Sequence, residues 1–268
     1  MTKLLGSLMT MTSSNINTSP VVRLHSLNSV AARENNLRVM HIVRHAEGYH
    51  NVNTDYRNPN NLDATLTEDG IEQCKQLSRR LQDDEHFTID CIISSPMRRA
   101  LQTAYHSFEH ILEDNSQDIE SSSKDNKETI PFVACEHWRE TVNYVCDIRI
   151  PRSKAVQDFP YADFGNIEHE DDPIWKYYED KFGSLEKYTK TRESFDDIRL
   201  SERGKRAWRT IAQRPEQSLA VVSHSAFFFH MFTRPELGIV SYEDDAVKQL
   251  MEDGFENCEM RSLAFEIL

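Results

Sequence analysis

The run Val39–Val43, broken only by His41, is apolar and rich in β-branched residues, and it stops abruptly in Arg44, His45 and a polar loop. Its length and composition predict a buried parallel strand. Leu219–Val222 is a second such run, and it too ends in a histidine, His224. Two buried strands with histidines at their carboxyl ends predict an α/β sheet, because open sheets of this class carry their ligands there. An arginine beside a histidine suits a phosphate: the guanidinium is a planar fork of donors, and a neutral imidazole can act as a nucleophile. On these residues alone, a strand end that is merely polar is an equal alternative.

Around the two runs, helical patterns alternate with short strands. Thr67 reads as an N-cap, with Glu68 and Asp69 in the first turn and Ile71, Cys74, Leu77 and Leu81 at helical spacing. Ile89–Ile93 predicts a strand, and Ser94, Ser95 and Pro96 then predict a helix start with proline at its first position. Arg98 and Arg99 fall in that helix's first turn, where exposed backbone N–H groups favour phosphate. Most surface arginines stay solvated, which is the expectation for Arg98. Residues 113–130, acidic and serine-rich, read as a flexible loop or insertion. Residues 150–195 form an insert rich in aromatics and charge, whose rings are expected to bury one another. Ser201 is expected to open a helix, and Ser241 with Asp244 a further one. Leu263, Phe265 and Ile267 alternate with Ala264 and Glu266 as in an antiparallel edge strand.

A chain of 268 residues accommodates one α/β domain with a large core. Its net charge of −13 argues against a general nucleic-acid binder, which needs excess Lys and Arg to displace counterions. Five cysteines without a close pair indicate neither a disulfide framework nor a zinc knuckle, and favour a reducing compartment. No apolar run approaches the ~20 residues of a membrane span. Residues 1–36 carry Lys3, Arg23 and Arg33 with no acid before Glu34. They are read as a disordered tail, with a transit segment, its apolar stripe running through Val22, Leu24, Leu27, Val30 and Ala31, as the alternative. The expected location is the cytoplasm, or the mitochondrion or plastid if that alternative holds.

Arg44-His45-Ala46-Glu47 with Asn51 beyond it resembles the Arg-His-Gly signature of the histidine phosphatase superfamily, the phosphoglycerate mutase-like fold. LTEDGIEQ (66–73), SSPMRRALQTA (94–104) and VVSHSAF (221–227) resemble its later blocks in order, and WRETVNYVCDIR, FPYADF and FENCEMRS are similar to phosphoglycerate mutase-like proteins of plants and fungi. The resemblance spans about residues 37–268. It implies a three-layer αβα sandwich, mostly parallel with an antiparallel edge strand, in which residues 150–195 line the cleft. It also implies a phosphomonoester phosphatase acting on a small phosphorylated substrate through a phosphohistidine on His45, without metal or cofactor. Arg44, Arg99 and His224 would hold the phosphoryl oxygens, Asn51 would add a hydrogen bond to phosphate or loop, and Glu140 would be the general acid; His45, Glu140 and His224 form the catalytic set. Ala46, Ala226 and Asn143 stand where relatives usually have glycine, which matters only if a positive φ is required. The alternatives are a phosphomutase, a non-catalytic phospho-ligand binder on the same fold, and a metal hydrolase built on His41, His45 and His224. Neither the natural substrate nor the oligomeric state is legible.

Overall fold

The elements run β1 (Val22–His25), α1 (Val30–Glu34), β2 (Arg38–Arg44), α2 (Tyr49–Val52), α3 (Glu68–Gln82), β3 (Cys91–Ser94), α4 (Arg98–Gln117), β4 (Phe132–Ala134), α5 (Arg152–Asp158) and α6 (Pro173–Phe182). They continue with α7 (Ile198–Ala212), β5 (Ser218–Ser223), α8 (Ser225–Thr233), β6 (Val240–Tyr242), α9 (Asp245–Glu252) and β7 (Met260–Ile267). The computed structural model describes residues 21–52, 54–117, 130–187, 192–193, 198–234 and 237–268.

Among the described residues, seven strands form one sheet in the order β4-β3-β5-β2-β7-β1-β6. All pairings are parallel except those of β7, which runs antiparallel to both β2 and β1. The period of two along the central strands divides the core into two layers. Met40, Ile42, Leu219 and Val221 face one cluster with Trp208, Phe227 and Phe228, whereas Val43, Ala220 and Val222 face the other with Leu77, Leu101 and Phe108. Helices α7, α8 and α9 cover the first face and α3, α4 and α5 the second, which is the expected three-layer sandwich.

Two expectations are corrected. β7 is interior, not an edge: Leu24 pairs with Phe265 on one side of it, and Arg38 pairs with the same residue on the other. The strand that covers it is β1, from the stretch read as tail. Val22 and Leu24 are fully buried on that strand, so the apolar stripe of residues 22–31 belongs to a strand and a separate short helix. Residues 1–20 of that stretch lie outside the described residues.

Thr67 caps α3 as expected, its side chain accepting from the Gly70 N–H at 2.9 Å. Ser201 lies inside α7, which starts at Ile198, and its hydroxyl donates to the Leu237 carbonyl. Ser241 sits on β6 with its hydroxyl on the Val22 carbonyl, leaving Asp244 alone to cap α9 through Val247 N–H at 2.9 Å. α4 begins at Arg98, two residues after Pro96, and runs to Gln117; residues 118–129 of the acidic stretch lie outside the described residues. In the insert, Trp175 and Tyr178 are buried against Val142 and Tyr161 stacks on Tyr105 at 4.4 Å, as expected, whereas Tyr177 is exposed. Among the described residues no helix is long and apolar enough to cross a membrane.

Candidate active site

Parallel pairing of β2 with β5 aligns Arg44 with Ser223, and His45 N–H donates to the Ser223 carbonyl at 2.9 Å. The two histidines that end these strands are therefore neighbours, with ring centroids 5.0 Å apart. Both rings are buried. His45 Nδ1 lies 2.7 Å from the carbonyl of Ala46, an acceptor, so this nitrogen carries the proton and Nε2 carries the lone pair. Burial, and then the charges of Arg99 and Arg44, hold its pKa well below the ordinary imidazole value. His224 caps α8 from an extended backbone, hydrogen-bonds Ser95 Oγ through Nε2 at 2.7 Å, and is likewise held neutral by burial and Arg99.

The loop after His45 is held from three sides. Ala46 N–H donates to Thr103 Oγ1 and Glu47 N–H to Gln73 Oε1, each at 2.9 Å, while the Glu47 carbonyl accepts from Thr67 N–H at 3.0 Å. Gly70 packs directly beneath, where a Cβ would lie 2.1 Å from the Glu47 carbonyl oxygen. Gly70 and Gln73 are thus the floor of the loop that follows His45. Ala46 and Ala226 both have ordinary negative φ, so their replacement of glycine carries no backbone strain.

Arg99, in the first turn of α4, is 1 % exposed and lies against the Cys146 carbonyl at 2.7 Å and Asp147 at 3.5 Å. Arg98 is not a solvated neighbour: its side chain donates to the carbonyls of Asp63 and Leu62, and its N–H donates to Asp63 Oδ1 at 2.9 Å. Asp63, fully buried with φ 43°, thereby caps α4 from a distant loop, which is why that helix starts later than Pro96 suggests. Arg44 donates to the Phe255 carbonyl at 2.6 Å. Asn51 braces the loop, its carboxamide oxygen accepting from Gly48 N–H at 3.0 Å.

Glu140 reaches the same centre from the loop after β4. Its carboxyl accepts from the N–H groups of Thr141 at 2.8 Å and Phe227 at 2.9 Å, the latter in the first turn of α8. These bonds and Arg99 favour the ionised form, but burial and the neighbouring Asp147 outweigh them and push its pKa up to about 7. A cleft of about 460 Å³ opens beside it, lined by Thr141, Asn143, Tyr144, Ser225, Ala226 and Phe255 among others.

Sequence reading missed several members. Asp147 is buried, accepts from the N–H groups of Asn143 and Tyr144, and faces Arg99; only its place in the block WRETVNYVCDIR marked it. Asn143 is needed for its carboxamide, whose oxygen accepts from the N–H groups of Arg192 and Glu193 and ties the insert to the acid loop. His50 is buried with its ring 5.4 Å from His45. His41 lies elsewhere: its nitrogens hydrogen-bond Ser262 and Ser218 and its ring packs on Phe87, so it does not join His45 and His224.

A cluster of buried imidazoles, guanidinia and a carboxyl poised near neutrality can bind a tetrahedral oxyanion and move a proton beside it. The histidine phosphatase superfamily (branch 1) matches residues 40–118. Phosphoglycerate mutase-like protein 1 of Arabidopsis thaliana is 31% identical over 244 residues, covering 84% of this chain and 80% of that protein. A probable phosphatase of Schizosaccharomyces pombe is 28% identical over 203 residues, 74% of this chain and 80% of its own length. Among solved structures, phosphoglycerate mutase from Bacillus anthracis is similar at a TM-score of 0.46 and 17% identity, covering 88% of this chain and 94% of that one. With the paired histidines at two strand ends and the matching relatives, the chain belongs to the histidine phosphatase superfamily, among its phosphoglycerate mutase-like proteins.

Proposed function

We propose that the protein is a phosphomonoester phosphatase working through a phosphohistidine on His45. The observation that carries this reading is a ring of orphaned polar atoms: Nε of Arg44 and Arg99, and Nδ1 of His50 and His224, are buried without hydrogen-bond partners around one neutral imidazole. Each such group costs about 1–3 kcal/mol when left unpaired. A phosphoryl group satisfies several of them at once.

His45 Nε2 attacks phosphorus in line with the ester oxygen, the P–N bond forms, and the P–O bond to the alcohol breaks. Glu140 gives its proton to the departing oxygen. Water, losing a proton to the Glu140 carboxylate, then attacks the phosphohistidine and releases inorganic phosphate, which restores both residues. Arg44, Arg99 and His224 hold the phosphoryl oxygens and stabilise the charge that spreads over them, and Asn51 acts through the loop it braces. The alcohol portion of a small phosphorylated substrate extends into the cleft beside Glu140. The relative described as a probable phosphatase supports hydrolysis over return of the phosphoryl group to a product.

The test is hydrolysis of p-nitrophenyl phosphate and of an alkyl phosphate between pH 4 and 8, with excess EDTA. Wild-type protein should turn over both, and on the alkyl ester, whose leaving oxygen needs a proton, kcat/KM should fall above about pH 7 as Glu140 ionises. His45→Ala should lose activity by orders of magnitude. An unaffected variant would remove His45 as nucleophile, and isomerisation of a phosphoglycerate without phosphate release would make the protein a mutase.

A further inference from the structure

We infer that His50 is a further phosphoryl-contacting residue, placed by α2 to donate its ring N–H to an oxygen of the group that His45 receives. The inference rests on the phosphoryl-transfer reading above and adds a ligand that neither the family comparison nor the signature blocks assign.

His50 is 5 % exposed, yet its Nδ1 has no hydrogen-bond partner. His41, which lies outside the site, has both ring nitrogens satisfied by serine hydroxyls. The His50 ring lies 5.4 Å from that of His45, close to the 5.0 Å that separates His45 from His224, so the nucleophile is flanked by two imidazoles. Burial, Arg99 and Arg44 keep the His50 ring neutral, with its pKa down to about 2. As a neutral ring it carries one N–H and offers a donor without adding charge. Those same two arginines make its surroundings suited to an anion.

The position is built rather than incidental. Tyr49 N–H donates to the Thr65 carbonyl at 3.1 Å, Asn51 N–H donates to the Gly48 carbonyl at 2.8 Å, and Asn51 Oδ1 accepts from Gly48 N–H. A Cβ on residue 48 would lie 2.8 Å from His50 Nδ1 and 3.2 Å from the Thr65 carbonyl, so the glycine leaves the imidazole its place. Tyr56 packs against the ring at a centroid distance of 6.1 Å.

His50→Phe keeps a ring beside Tyr56 and removes both nitrogens. It should raise the inhibition constants of inorganic phosphate and orthovanadate about tenfold or more, and lower kcat/KM in parallel, with the thermal midpoint unchanged. His50→Gln, which restores an N–H donor, should recover part of both. Inhibition constants and kcat/KM within about twofold of wild type in His50→Phe would overturn the inference. Should that variant fail to fold, the wild-type protein still decides: its His50 ring ¹⁵N resonances, assigned by comparison with His50→Gln, should shift on saturation with phosphate, and unmoved resonances overturn the inference. Active wild type, inactive His45→Ala and unaffected His50→Phe together remove His50 alone. A wild-type protein that neither hydrolyses the esters nor binds phosphate removes the phosphoryl-transfer reading and this inference with it.

Discussion

Glu140 and Asp147 are two carboxyls on one short buried loop, and burial raises both above the ordinary carboxylate range. Asp147 faces Arg99 and spends its other oxygen on two backbone N–H groups, whereas Glu140 sits at the first turn of α8 beside the cleft. A negative neighbour makes ionisation of Glu140 harder. Asp147→Asn removes that charge, so Glu140 should ionise more easily and the alkaline limb of kcat/KM on an alkyl phosphate should move to lower pH; a limb that stays in place would show that burial alone sets it. Glu140 was legible as a candidate because the block around it matches relatives. Its protonation was not, because burial and the nearby arginine act in opposite directions and only the packed geometry says which is larger.

At the scale of elements, the motifs of α3 and α4 exist to hold a loop they do not themselves contain. Thr67, Gly70 and Gln73 meet Glu47 from below, Thr103 takes the Ala46 N–H, and Gln102 Oε1 accepts from Leu66 N–H at 2.9 Å. Gly70→Ala would press a methyl group onto the Glu47 peptide. The expected cost is about 1–3 kcal/mol in urea denaturation, with kcat lowered more than KM is raised because the displaced loop carries His45, the proposed nucleophile. Helix starts show the limit of local reading. Thr67 caps the helix it precedes, so its role is visible over four residues. Asp63 caps α4 across 35 positions, and no window of sequence contains both partners.

For the whole molecule, the N-terminal strand decides how the sheet is completed. β1 joins β7 to β6, with Val22 and Leu24 fully buried in the layer that also holds Trp208 and Phe265. Burying two such side chains is worth roughly 3–6 kcal/mol at about 1.5–3 kcal/mol each. A chain shortened to begin after residue 28 should therefore unfold at markedly lower urea concentration, or lose its cooperative transition, while one beginning at residue 21 retains the strand. Equal midpoints for the two would mean that β6 and β7 hold together without it.

The two continuous apolar runs by themselves determined the central strands, their two-sided burial and the placing of His45 and His224 at strand ends, because these follow from local composition and chain direction. Arg99 and Glu140 were legible through the resemblance of their blocks to known relatives, not through periodicity. Tertiary structure decided what depends on contacts between distant segments. It placed β1 against β7 over more than 230 positions of chain, put Asp63 under α4, turned Asn143 toward the insert, and set His50 beside His45. Short polar residues such as these carry no periodic signal. Their function arises only when folding withdraws water and leaves the protein to satisfy every donor and charge it has buried.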